Sequence, residues 1–317
     1  MIGLEFSDFL NGFKFRNITY LAKAITYCES SKKEHQQIVY KLINELKPIS
    51  SKKIGITGTP GVGKSTYLEN FGLHLIESQQ AKVAILAIDP TSHLSGGSIL
   101  GDKTRMQKLS AHPDAFVRPS PSRMHLGGAS ENTLEAIFLC ERFGFDYIFV
   151  ETVGVGQSEV EISNMVDFFK LLISPVGGDE LQAIKRGILE VADLVVVNKA
   201  DGKNKQAAEV SRHQYQSSVD VLQHKKEYKA QVLTCSSIEK TGFIDIEKQI
   251  QKFYNEVDLQ KYRQKQKSFW VNKKLLSFFQ SDLKNQKNQK IINEFILKND
   301  FGFNQIDDLY KIIKEKI

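Results

Sequence analysis

The sequence predicts an α/β fold: a mostly parallel central sheet flanked by helices, with a helical segment before it and a helical arm after it. Three observations point there. Nearly continuous apolar runs such as Val83-Ala84-Ile85-Leu86-Ala87-Ile88 recur along the middle of the chain, as a sheet buried on both faces requires. Amphipathic stretches of helical length alternate with them. Between the first such run and the first such helix lies the glycine-rich stretch Gly58-Thr59-Pro60-Gly61-Val62-Gly63-Lys64-Ser65-Thr66.

The elements follow in order. Residues 1–47 read as a pair of helices packed on the next domain. Ile18, Leu21, Ala22 and Ile25 fall on one face, as do Val39, Leu42, Ile43 and Leu46. Pro48 and Ser50-Ser51 mark a boundary. The α/β domain is expected over 48–255, with strands at 52–57, 82–88, 115–118, 146–151, 168–173, 193–197 and 230–235. Helices are expected at 64–79, 131–143, 179–191, 204–225 and 243–254. The arm, 256–317, repeats apolar residues at Phe269, Leu276, Phe279 and Leu283, turns at Asn299–Gly302 and ends in a short helix.

Composition narrows the class. The hydrophobic fraction of 41% and charged fraction of 25% are those of a soluble globular protein. Cys28, Cys140 and Cys235 form no C-x-x-C pair, which argues against a disulfide framework or thiolate zinc site. No basic leader precedes the chain's first apolar residues and no run reaches membrane-spanning length, so the expected compartment is the cytoplasm. The net charge of +6 sits on the flanks, 1–47 and 256–317, while the middle is nearly neutral. That is a solvated helical surface rather than the dense basic stripe of a nucleic-acid binder.

The glycine-rich stretch fits G-x-x-x-x-G-K-[ST], the phosphate-binding P-loop, in its strand–loop–helix context. Its backbone N–H groups and the helix N-terminus cradle a polyphosphate. Lys64 reaches the β- and γ-phosphates as a catalytic cation, and the Ser65 hydroxyl ligates Mg²⁺. Five further strand ends carry polar or glycine-rich motifs, where ligands of open α/β sheets gather. Asp89 closes one strand and Asp102 lies in the loop beyond it; both are hard oxygen donors suited to Mg²⁺. Glu151 closes another, where P-loop enzymes keep an acidic metal residue. Gly154 follows as the γ-phosphate sensor. Val155 stands where a water-orienting glutamine might be, and valine cannot orient water. Intrinsic hydrolysis is therefore expected to be slow, with Gln157 and Lys185 the candidates for that catalytic role. Lys185 belongs to the helix after Gly177-Gly178-Asp179.

Asn198-Lys199-Ala200-Asp201 is the base-reading N-K-x-D. The Asp201 carboxylate accepts from guanine N1–H and the 2-amino group together. Adenine offers neither donor, so ATP is disfavoured and GTP selected. Lys199 packs along the base and Asn198 braces neighbouring loops. Thr234-Cys235-Ser236-Ser237 supplies an accessory loop whose backbone N–H, at Ser236 or Ser237, meets guanine O6.

On these residues the chain resembles the MeaB/ArgK family of P-loop GTPases, from about Asn17 to Trp270. The resemblance rests on Gly58–Thr66, Ala87–Ser92, Gly101–Met106, Glu151–Glu159, Gly178–Lys185 and Asn198–Gly202. It implies metal residues at Ser65, Asp89, Asp102 and Glu151, and switch segments at roughly 89–106, 151–163 and 174–188. It also implies a chaperone of an adenosylcobalamin-dependent acyl-CoA mutase of the methylmalonyl-CoA mutase type. Such a protein gates cofactor loading, protects the mutase, and is a homodimer through its C-terminal arm. Met124-His125 before Leu126-Gly127-Gly128 departs from the family pattern in a loop suited to touch the partner. Two other readings stay open: a nickel-type maturation GTPase, for which the sequence lacks thiolate- or histidine-rich tracts, and a kinase acting on a transport protein, for which no acceptor-docking motif is visible.

Overall fold

The computed structural model describes residues 4–30, 32–89, 106–121, 128–152, 158–175, 186–224 and 226–284. Met1–Arg263 form one compact unit and Gln264–Ile317 a second.

All seven expected strands form; six lie within one residue of their expected ends, and the third runs three residues beyond its expected end at 118. They are β1 (Lys52–Gly58), β2 (Val83–Asp89), β3 (Ala115–Pro121), β4 (Tyr147–Thr152), β5 (Phe168–Ile173), β6 (Leu194–Val197) and β7 (Gln231–Thr234). They make one sheet in the order β3-β2-β4-β1-β5-β6-β7, and every pairing in it is parallel. The apolar runs of β4, β5 and β6 are buried along their whole length, as two-sided helical cover demands. From β1 the chain passes toward the β3 edge, and after β4 it crosses to β5 on the other side of β1. The carboxyl ends of β1 and β4 therefore lie where the winding reverses, the place such sheets offer a ligand.

The segment before the sheet corrects the expected pair of helices. There are three: α1 (Phe6–Lys14), α2 (Ile18–Cys28) and α3 (Lys33–Glu45). The signal for α1 was Phe9 and Phe13 at i, i+4 spacing, both now buried, with Asp8 accepting from the Glu5 backbone N–H at 2.9 Å. These helices pack on α6 (Gly128–Phe143). The Phe13 and Phe143 rings meet edge to face at 5.3 Å, and Arg142 donates to the Ile43 carbonyl at 2.8 Å.

The other described helices are α4 (Lys64–Gln79), the short α5 (Gln107–Ser110), α7 (Ser158–Ser163) and α8 (Arg186–Val191), then α9 (Lys205–Leu222), α10 (Phe243–Glu256) and α11 (Leu259–Lys284). One face of the sheet packs against α4 and α10 through Tyr67, Phe71, Phe149, Phe168, Phe243 and Phe253, all buried. On α11, Trp270 is buried while Phe269, Leu275 and Leu276 are exposed. Among the described residues no helix is long and apolar enough to cross a membrane. The expected turn at Asn299–Gly302 and the last helix lie outside the described residues.

At the amino ends of the strands, away from the P-loop, Asp167 is fully buried. Arg263 grips it with two hydrogen bonds of 2.8 and 2.7 Å, Tyr254 Oη donates to it at 3.1 Å, and the Lys53 N–H at 3.3 Å. The same guanidinium donates to the Ser51 carbonyl, fixing the first turn of α11 to the entry of β1. The Asp167 hydrogen bonds raise the Arg263 guanidinium above its ordinary value, against the opposing effect of burial. Removing one partner of such a pair strands a charge in the interior. Arg263→Leu is therefore expected to destabilise the protein by about 2–4 kcal/mol in urea unfolding, and Asp167→Asn in the same background to recover part of that loss.

Candidate guanine-nucleotide site

The P-loop leaves β1 at Gly58 and enters α4 at Lys64. Gly58 lies so close to β5 that an added Cβ would stand 2.3 Å from the Leu172 carbonyl oxygen, so a side chain there would push the strands apart. Gly63 is the residue before α4 and holds φ at +93°, in the left-handed region that side chains resist. Its open Cβ position faces Asn198 Nδ2 at 2.9 Å. The Lys64 ammonium folds back over the loop and donates to the carbonyls of Gly58 at 2.7 Å and Thr59 at 3.3 Å. It is thereby held across the mouth of the cradle formed by residues 59–63.

Strand register brings the acidic strand end to the same place. Ile56 pairs with Glu151, and the Ser65 hydroxyl donates to Glu151 Oε1 at 3.5 Å. A hydroxyl and a buried carboxylate thus converge beside the loop, two hard oxygen donors of the kind Mg²⁺ selects. Asp89 ends β2, opposite Pro121 in β3, with its backbone alone described. Asp102, Gly154, Gln157 and Lys185 lie outside the described residues, as do Met124 and His125 and most of the three expected switch segments.

The base-reading residues follow β6. Asn198 is 1% exposed and all of its amide is engaged: Nδ2 donates to the Val62 carbonyl at 2.9 Å, and Oδ1 accepts from Ser237 N–H at 3.2 Å, Ser237 Oγ at 2.7 Å and Cys235 Sγ at 3.3 Å. Lys199 adopts φ +61° and reaches across to donate to the Gly61 carbonyl at 2.7 Å. The Ala200 N–H donates to the Cys235 carbonyl at 2.9 Å. Ser236 Oγ donates to Asp201 Oδ2 at 2.6 Å and accepts from the Glu239 N–H at 3.0 Å. One oxygen of the Asp201 carboxylate is therefore aimed by a buried serine. Burial pushes the Cys235 thiol up to about 12, so it serves here as a neutral donor.

The structure brings together Gly58–Thr66, Glu151, Asn198, Lys199, Asp201, Ser236 and Ser237. It adds what the motif reading left out. Val62 and Gly61 contribute carbonyls, Cys235 is a brace, and the serine side chains orient Asp201 and Asn198. The sequence signal for these was present only as hydroxyl residues closing a strand beside N-K-x-D. Nothing in their order says which side chain meets which.

A polyphosphate cradle tied to a guanine-reading strand end on a parallel sheet is the site of a P-loop GTPase. The chain belongs to the MeaB family: the family profile described as "Methylmalonyl Co-A mutase-associated GTPase MeaB" matches residues 21–290. It is 44% identical over 288 residues to the GTPase ArgK of Escherichia coli K12, covering 89% of this chain and 83% of that protein. It is 40% identical over 281 residues to the mitochondrial "methylmalonic aciduria type A homolog" of Caenorhabditis elegans, covering 82% and 70% respectively. A solved structure titled "LAO/AO transport system kinase" superposes with a TM-score of 0.78 at 33% identity, covering 99% of this chain and all of that one. The protein binds guanine nucleotide and is a GTPase.

Asn198→Ala removes the tie between the phosphate and base loops while leaving both sequences intact. It is expected to weaken GDP binding about 10- to 100-fold, and to lower thermal stability by an amount near that of two lost buried hydrogen bonds, about 2–3 kcal/mol; fluorescence titration and calorimetry read the two effects.

Proposed function

We propose that this GTPase chaperones an adenosylcobalamin-dependent acyl-CoA mutase of the methylmalonyl-CoA mutase type. Its nucleotide state gates cofactor loading and protects the mutase from inactivation. The observation that carries the proposal is the match of residues 21–290 to a family described by its association with methylmalonyl-CoA mutase. We also propose that the protein works as a homodimer through the helical arm, 256–317, with the α/β domain at 48–255 and the helical segment at 1–47 as the other functional parts.

The site residues divide the work as follows. Backbone N–H groups of residues 59–63 and the N-terminus of α4 hold the β- and γ-phosphates, and Lys64 exchanges its two carbonyl partners for phosphate oxygens. Ser65 and Glu151, with Asp89 and Asp102 from the adjoining strand end and loop, form the donor set for Mg²⁺. That ion, when bound, would supply positive charge against the negative charge that develops as the phosphoryl group passes to water. Gly154 donates its N–H to the γ-phosphate. Lys185 or Gln157 positions the attacking water or stabilises the leaving charge, the task for which Val155 is unsuited. Lys199 covers the base, and Asp201, aimed by Ser236, accepts from guanine N1–H and N2–H₂. Ser236 and Ser237 close the base pocket near O6.

Affinity capture tests the partnership. Purified adenosylcobalamin-dependent mutase is expected to be retained on immobilised protein to different extents in GDP and in a non-hydrolysable GTP analogue. No retention in either state, or equal retention in both, sinks the chaperone reading. The base assignment has its own test. Asp201→Asn reverses one donor–acceptor contact, so GTP affinity is expected to fall about 100-fold or more while xanthosine triphosphate, which offers the complementary pattern, gains. An unchanged base preference would refute the assignment.

A further inference from the structure

Lys170 lies in the middle of β5 and is fully buried. Its strand partners are apolar, Ile56 on one side and Leu194 on the other. Its Nζ donates to Tyr67 Oη at 2.7 Å. The ammonium sits 4.5 Å from the centroid of the Phe71 ring, 4.8 Å from that of Tyr67 and 6.0 Å from that of Phe149, a cage of aromatic faces that favours a cation. Tyr67 is fully buried and follows Lys64 by three residues on α4, so it is the first turn of the phosphate-holding helix that Lys170 grips.

Cys235 lies within electrostatic reach of both Lys170 and Tyr67. The Cys235 thiol donates to Asn198 Oδ1 at 3.3 Å, and Asp201 in turn lies within electrostatic reach of that thiol. Tyr67 from α4 and Cys235 from the end of β7 are the titratable groups that face Lys170. From β4 and α10 the packing is aromatic, Phe149 and Phe243. Lys170 thus joins β5, in the middle of the sheet, to the helix that follows the P-loop.

Burial pulls the Lys170 ammonium down to about 7. Near neutral pH both its forms are populated in the unliganded protein. A guanine polyphosphate seated at the N-terminus of α4 is separated from Lys170 by packed protein rather than by water, and its negative charge favours the ammonium. Binding therefore raises the lysine above its unliganded value and takes up a proton. By linkage, the added affinity is fully present below the unliganded value and is lost as pH rises through the liganded one.

We propose that Lys170 is a positioning residue of the guanine-nucleotide site, whose protonated form tightens nucleotide binding by tying Tyr67, in the first turn of α4, to the middle of β5. This rests on the reading of the site as a guanine-nucleotide site.

The test is calorimetric titration of the full-length protein with GDP from about pH 6 to about pH 8.5, in paired buffers of different ionisation enthalpy so that protons taken up are counted. Ionisation of the free nucleotide is common to every variant and cancels in their comparison. Against Lys170→Met, the wild type is expected to gain about three- to tenfold more affinity on going from high to low pH, with the two converging at the alkaline end. Proton uptake near neutrality is expected in the wild type and lost in the variant. Tyr67→Phe keeps the ring and removes only the ammonium's hydrogen-bond partner, so it is expected to move the wild-type profile to lower pH. Should Lys170→Met not fold, Tyr67→Phe decides. Profiles identical to wild type in the folded variants overturn the role of Lys170 and leave the nucleotide reading standing. Failure of the wild type to bind GDP at any pH overturns both.

Discussion

A single buried amide, that of Asn198, holds the nucleotide site in one piece. Its donor side is committed to the Val62 carbonyl in the P-loop and its acceptor side to Ser237 and Cys235 beyond β7. Three segments far apart in sequence are therefore fixed by one planar group with no rotational slack. A buried amide left unpartnered costs more than its hydrogen bonds return, so the three segments must arrive together or not at all. The P-loop's own geometry depends on this: Gly63 leaves room for Asn198 Nδ2, which a side chain there would meet at 2.9 Å, and Lys199 closes over the Gly61 carbonyl. Recognition of phosphate and recognition of base are thus mechanically one event.

The opposite pole of the sheet is held by charge instead. Asp167 is bound by Arg263, Tyr254 and the Lys53 N–H, and nearby Lys53 forms a 2.8 Å ion pair with Glu141, both side chains less than a tenth exposed. Desolvated pairs like these contribute little net stability but tolerate no missing partner. They fix which strand ends, helix ends and arm root meet at that pole. The carboxyl ends of the strands, freed of that task, carry glycine, serine and the Glu151 carboxylate. Stability and chemistry are divided between the two ends of one sheet, as fits a parallel sheet whose helices cover both faces.

The strands were legible because a sheet buried on both faces permits almost nothing but apolar residues, and runs such as Tyr147–Val150 and Leu194–Val197 satisfy that rule without ambiguity. The helix α1 was harder to read. Its Phe9 and Phe13 make a two-residue stripe, too short to stand out beside the longer patterns of α2 and α3. Lys170 broke the rule from the other direction. A lysine inside a strand reads as a surface residue, yet here it is fully buried beneath three aromatic rings that come from α4 and β4. No local pattern announces a cage whose walls come from a helix and a strand elsewhere in the chain.

By itself the sequence determined the parallel α/β fold, the P-loop and the guanine-reading N-K-x-D, because each depends on local spacing: glycines where the backbone must turn, a lysine and a hydroxyl where a helix begins, a carboxylate at a strand end. Tertiary structure alone decided how these parts are joined. That Glu151 stands beside Ser65 follows from the register of β4 against β1, and that Ser236 aims Asp201 follows from the pairing of β7 with β6. That Lys170 grips Tyr67 follows from the packing of α4 on β5. Hydrogen bonds of this kind depend on which strands are neighbours and which faces meet, and strand order is set by the packing of the whole sheet rather than by any stretch within it.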